Sequence, residues 1–221
     1  AMNFDFSEDQ KFLANEARKF LESQCSMAEV RAVLDDESKP FNEGVWKKVV
    51  EMGWLGTSIP EEHGGLGLGM LEMCVLAEEM GRVLAPVPFT STAYFFTEAL
   101  KLAGSEAQQA DLFPKIVSGE VVGCFAASEG PGNPDAGSLK TVFDGKTLSG
   151  LKVPVTDGDI ATHAVVLAKD GKGASLVLVD LSAKGVTKKV LSTLDPTRSH
   201  AELAFDKVPA TLLGKSGDGA R

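Results

Sequence analysis

At Val121 the spacing of apolar residues changes, and no single regular architecture accommodates the chain on both sides of it. Before that point apolar residues return every three or four positions; after it they alternate or run on in short stretches between Gly, Pro, Asn and Asp. This predicts an α+β chain: an N-terminal all-helical domain over residues 1–120, an antiparallel β-barrel or sandwich domain over 121–214, and a linker-like tail over 215–221.

In the first part, Ser7 followed by Glu8, Asp9 and Gln10 has the spacing of a capping box. A helix from Ser7 to Cys25 follows, with Phe12, Leu13, Ala17, Phe20 and Leu21 on one face. A short helix and loop over 27–39 come next. Asn42 caps a helix bearing Val45, Trp46, Val49 and Val50, stopped by Gly53. A helix over 70–84 has Glu72, Glu78 and Glu79 facing outward, and Pro86 and Pro88 end it. Helices over 92–103 and from Ser105 to Phe113, before Pro114, complete the domain. Strands are expected at 121–127, 139–143, 147–151, 164–168, 176–179, 186–191 and 201–205, with Asp144-Gly145 as a hairpin turn.

Two irregular loops stand at strand ends in the second part. One is Ser-Glu-Gly-Pro-Gly-Asn-Pro-Asp-Ala-Gly, from Ser128 to Gly137; the other is Thr-Asp-Gly-Asp, from Thr156 to Asp159. Loops held by rigid strands concentrate binding groups, so the pair predicts one shared ligand site.

Several classes fall away. A net charge of -9 opposes binding to phosphate backbones, so no nucleic-acid partner is expected. No apolar run approaches a membrane span and no leader is evident, so a cytoplasmic protein with reduced, core-buried Cys25, Cys74 and Cys124 is expected. Ala1 before Met2 reads as a tag remnant. His63, His163 and His200 lack metal-ligand spacing, and no metal is expected. Gly64-Gly65-Leu66-Gly67 lacks the buried strand that a nucleotide loop follows, and reads as a turn between helices. Gly145-Lys146-Thr147 and Gly214-Lys215-Ser216 lack the earlier Gly of a Walker loop. Lys184, Lys188 and Lys189 read as a solvated strand edge rather than as a phosphate contact.

The stretch from Gly123 to Asp159 resembles the flavin-facing part of the acyl-CoA dehydrogenase family. The resemblance extends to Gly53-Trp54-Leu55-Gly56-Thr57 through Gly67, to Leu148-Ser149-Gly150-Leu151-Lys152, and to Asp195-Pro196-Thr197-Arg198 with Ala201 to Pro209. It implies FAD as cofactor, an acyl-CoA thioester as substrate, α,β-dehydrogenation as the reaction, and a homo- or hetero-oligomer of dehydrogenase-type subunits.

Residue by residue, the resemblance puts the flavin contacts on Phe125, Ala127, Ser128, Pro154, Val155 and Thr156, and a substrate contact on Pro134. Ser128 and Thr156 keep hydroxyls and Phe125 keeps a ring. The family's stacking Trp falls on Pro154, which has no π-face, and its substrate-bonding Ser falls on Pro134, which can donate nothing. Ser128 and Thr156 are open to a second reading, as strand-end hydroxyls that satisfy local backbone. The family's catalytic Glu belongs to a C-terminal helical bundle, and this chain stops where that bundle would begin. No catalytic residue is therefore expected here, and Glu129 is expected to be structural. Arg221 would suit a tryptic cut of a longer protein. Two further readings share the fold: a flavin-poor partner subunit of a heteromeric dehydrogenase, and a flavin oxidase or monooxygenase.

Overall fold

A computed structural model describes residues 4–219, so Ala1, Met2 and Arg221 lie outside the described residues. The helical part holds α1 (Glu8–Gln24), α2 (Met27–Leu34), α3 (Glu43–Glu51), α4 (Met70–Arg82), α5 (Thr97–Ala103) and α6 (Glu106–Val117). The capping boxes at Ser7 and Ser105 form as the sequence predicts, and Asn42 Oδ1 accepts from the Val45 amide at 3.0 Å. The run 64–68 folds back on 56–59 through backbone bonds, as a turn between helices.

Three local expectations are corrected. Glu79 is 2% exposed rather than outward, because Arg18 and Arg82 reach it from α1 and α4 at 2.7 and 3.2 Å. Burial of Leu112, Phe113 and Ile116 carries α6 through Pro114 at the loss of one backbone hydrogen bond. Cys74 is exposed, whereas Cys25 and Cys124 are buried.

Ahead of α5 the chain forms a π-helical turn, Thr90–Phe96. There the Thr97 hydroxyl donates to the Thr92 carbonyl at 2.7 Å, five residues back, a bond that fits the wider turn.

The β-part holds β1 (Gly123–Ala126), β2 (Val142–Phe143), β3 (Thr147–Thr156), β4 (His163–Asp170), β5 (Gly173–Asp180), β6 (Val186–Val190) and β7 (His200–Leu213). The order β1-β4-β2-β3-β7-β5, with β5 pairing back onto β4, closes the sheet into a barrel. Most pairs are antiparallel, but β1 and β2 both run parallel to β4, so the sheet is mixed. β3 and β7 outrun their expected ends, passing through Pro154 and Pro209, since long partners in register tolerate a missing N–H at irregular positions. Residues 215–219 pack on the barrel: the Gly217 amide donates to Ser175 Oγ at 2.7 Å and the Gly219 amide to the Ala174 carbonyl at 2.8 Å.

The helical core, around Trp54, Phe96, Leu100 and Phe113, reaches Val165 and Leu213 of the barrel. The barrel's own core is built on Cys124, Leu148, Val155, Val166, Val177 and Leu203. The two parts join most closely where the π turn meets β1. Thr92 Oγ1 accepts from the Gly123 amide at 3.2 Å, and Phe96 lies flat on Gly123.

A Cβ at Gly123 would stand 2.1 Å from Phe96 Cγ. Gly123→Ala is expected to destabilise the chain by about 3 kcal/mol in urea unfolding. Gly81→Ala, where a Cβ meets nothing within 4 Å on α4, is expected to be neutral or stabilising in the same experiment.

Candidate functional site

The first predicted loop leaves β1 and runs against β3 three residues before the second loop begins. The Val153 amide donates to the Ser128 carbonyl at 2.8 Å, and the Gly130 amide donates to the Val153 carbonyl at 2.9 Å. The strand ends are thus laced together just where each chain turns irregular. A buried charge pair locks the lacing. Lys152, with no exposed side-chain surface, donates to the Ala127 carbonyl at 2.9 Å and to Glu129 Oε1 at 3.0 Å. Glu129 accepts in addition from the amides of Lys140 and Thr141, at 2.8 and 2.9 Å.

Burial alone would raise the Glu129 pKa, but hydrogen bonds from Thr141, Lys140 and Lys152 overcome it and hold the carboxyl at about 2. Burial pulls the Lys152 pKa down, against the pull of its partner. The two shifts assign the pair different worth; in the acid range only Glu129 titrates, so its depression governs there. Glu129 thus ties three segments together as an ionised carboxylate.

Ser128 and Thr156 are half-buried, and among the described residues neither hydroxyl has a hydrogen-bond partner. The reading in which they satisfy local backbone is therefore not what the structure holds. Phe125 is half-buried, its ring 6.4 Å from that of Phe95 in the π turn. Ala127 commits its carbonyl to Lys152. Pro154 is exposed, behind a cis peptide bond. The Val155 side chain is fully buried in the barrel core, where strand alternation turns it inward, so any contact it makes at a site is through its backbone. Pro134 stands exposed in the loop, which the Asp135 side chain organises by accepting the amides of Gly137 and Ser138.

Two unpartnered hydroxyls and an aromatic ring are the groups these positions leave available to a ligand. The stacking ring that Pro154 replaces has no substitute among these residues.

Sequence reasoning missed Lys152, Asp157, Ser91 and Arg198. A lysine inside an otherwise apolar strand was the available signal for the first; nothing local signalled the others, which meet only through tertiary contact. Among the described residues there is no cluster of His, Cys, Asp and Glu able to hold a metal, and no helix long and apolar enough to cross a membrane. Lys188 donates to the carbonyls of Asp159 and Ala161 at 3.0 and 2.7 Å, bracing a turn rather than standing free at a strand edge.

The folded-state pKa of Glu129 lies below its ordinary value of 4.5, so the stability it contributes is present above about pH 4.5 and is lost as pH falls through about 2. Glu129→Gln is expected to be less stable than the parent at neutral pH, by on the order of 3 kcal/mol. Urea unfolding from about pH 5 down to about pH 2 should show the two curves converge; parallel curves would refute the assignment.

The family model described as acyl-CoA dehydrogenase, N-terminal domain, matches residues 7–120. An acryloyl-CoA reductase (NADH) of Anaerotignum propionicum is 32% identical, with 99% of this chain and 59% of the relative aligned. A mitochondrial isovaleryl-CoA dehydrogenase of Pongo abelii is also 32% identical, over 96% of this chain and 54% of its own length. A solved structure, the Tcur3481-Tcur3483 steroid ACAD, superposes with a TM-score of 0.84 at 34% identity, covering 94% of this chain and 57% of the other. The chain thus spans less than two thirds of the length of each of these relatives. With the matched helical domain, the mixed barrel and the two laced loops in one order, the chain belongs to the acyl-CoA dehydrogenase family.

Proposed function

We propose that this chain carries the flavin-facing half of an FAD-dependent acyl-CoA dehydrogenase, which removes a proton from the α-carbon and a hydride from the β-carbon of an acyl-CoA thioester. The observation that carries the reading is the pair of unpartnered hydroxyls, Ser128 and Thr156, at the ends of laced strands where the family resemblance places flavin ligands. FAD, when bound, supplies the hydride acceptor.

The chain's own residues bind and orient. Ser128 and Thr156 donate to ring heteroatoms, Phe125 backed by Phe95 offers an apolar wall, and the Lys152–Glu129 pair keeps the strand ends in register. Proton abstraction needs a basic carboxylate facing the substrate, whereas Glu129 already accepts from the Lys140 and Thr141 amides and from Lys152, which hold its pKa at about 2. The base therefore comes from residues outside these loops. That the substrate is an acyl-CoA thioester is supported by the two curated relatives, both named for acyl-CoA chemistry. Exposed Phe95, beside Phe125, and exposed Leu102 on α5 favour a homo- or hetero-oligomer of dehydrogenase-type subunits.

A second reading, a flavin-poor partner subunit, is favoured by Pro134 and Pro154, which offer neither a hydroxyl nor a ring. One experiment separates the two: intact mass and absorption between roughly 350 and 500 nm, before and after added FAD, followed by anaerobic addition of acyl-CoA. The dehydrogenase reading expects a flavin spectrum that acyl-CoA bleaches. A colourless protein that refuses FAD and copurifies with a flavin-bearing dehydrogenase chain establishes the partner reading instead. Bleaching that only oxygen reverses, with peroxide formed, shows an oxidase.

A further inference from the structure

Asp157 follows Thr156 directly and begins the turn that ends β3. Its backbone is left-handed, at φ 59°. Such a conformation costs a non-glycine residue energy, and Asp is among the few side chains that adopt it readily. Three backbone bonds hold it: its amide donates to the Ser199 carbonyl at 2.7 Å, and its carbonyl accepts from Ile160 at 3.2 Å and Ala161 at 2.9 Å.

The carboxylate is 2% exposed, and its two donors come from different parts of the molecule. Ser91 Oγ, in the π turn of the helical domain, donates at 2.6 Å; Arg198 Nη2, just before β7, donates at 2.9 Å. Arg198 reaches toward Thr90 of the same π turn at 3.4 Å, while its Nε is buried without a partner. An arginine that leaves one buried N–H unmade is held by its other contacts, not placed for its own satisfaction.

The π turn that supplies Ser91 also bonds Gly123 through Thr92 and sets Phe95 near Phe125. One helical turn thus touches both strands whose ends carry the free hydroxyls. A buried charge pair contributes little stability over well-packed apolar residues, so its use here points to direction rather than strength.

We propose that Asp157, held by Ser91 and Arg198, is a positioning residue: it fixes the turn that presents the Thr156 hydroxyl, and its charge sets the potential of the flavin bound beside it. The proposal rests on the flavin reading above. A geometric role and an electrostatic one predict different behaviour in two variants. Ser91→Ala removes the tie to the helical domain and keeps the carboxylate. Asp157→Asn keeps the shape and leaves the Arg198 cation uncompensated, which favours the electron-rich reduced flavin.

The test uses the full chain with FAD as probe. Amide hydrogen exchange on the flavin-free chain should show residues 157–161 opening faster in Ser91→Ala, with α1 and α4 unchanged. Fluorescence titration should show FAD binding weakened about tenfold in that variant, the equivalent of one lost hydrogen bond. The midpoint potential of the bound flavin should rise in Asp157→Asn and stay at the parent value in Ser91→Ala. An unchanged potential in Asp157→Asn, or a loosened turn with undiminished FAD binding in Ser91→Ala, overturns the role of Asp157 alone. A parent chain that takes up no FAD overturns the flavin reading, and the positioning role with it.

Discussion

A lysine with no exposed side-chain surface is costly unless its ammonium is paired and hydrogen-bonded, and the architecture around Lys152 supplies it with a carbonyl and a carboxylate. Its ammonium draws the Ala127 carbonyl and the Glu129 carboxylate to β3, and Glu129 then draws the amides of residues 140 and 141. Three segments far apart in sequence are gathered by one buried charge. The loop from Gly130 to Leu139, which lacks regular structure, is thereby fixed at both ends. Residues 131–138 between those ends stand exposed.

Much of the fold was legible because the helical part announces its own boundaries. Ser7, Asn42 and Ser105 are local caps whose bonds close within three residues, so sequence alone contains both partners. What escaped depends on partners elsewhere. Glu79 reads as a surface acid until Arg18 arrives from another helix. Pro114 reads as a stop and the expected strands end short of Pro154 and Pro209, yet each proline lies within a regular element whose neighbours secure it. The parallel placement of β1 against β4 is likewise invisible locally, since direction is a property of the pair.

The site divides along the same line. Ser128, Thr156 and Phe125 were singled out by the family pattern, and the structure adds that among the described residues both hydroxyls lack partners. Lys152, Asp157, Ser91 and Arg198 act through other residues and leave no contiguous motif. Their effect is to make geometry rigid where chemistry is sparse, as two prolines stand where the family pattern has a ring and a hydroxyl.

The π turn at Thr90–Phe96 holds one residue more than an α-helical path between the same end points would need. Each residue of a regular helix advances the side-chain direction by about 100°. Loss of one position from this segment would let the helix relax to the commoner pitch, but it would swing Ser91 and Thr92 away from the barrel while leaving Phe96 and α5 in place. The extra residue thus acts as a phase adjustment, allowing one continuous helix to address the barrel with polar groups and its own core with Phe96 and Leu100. Length in this segment should vary less among descendants of this chain than residue identity does, because a substitution changes one contact and a deletion rotates them all.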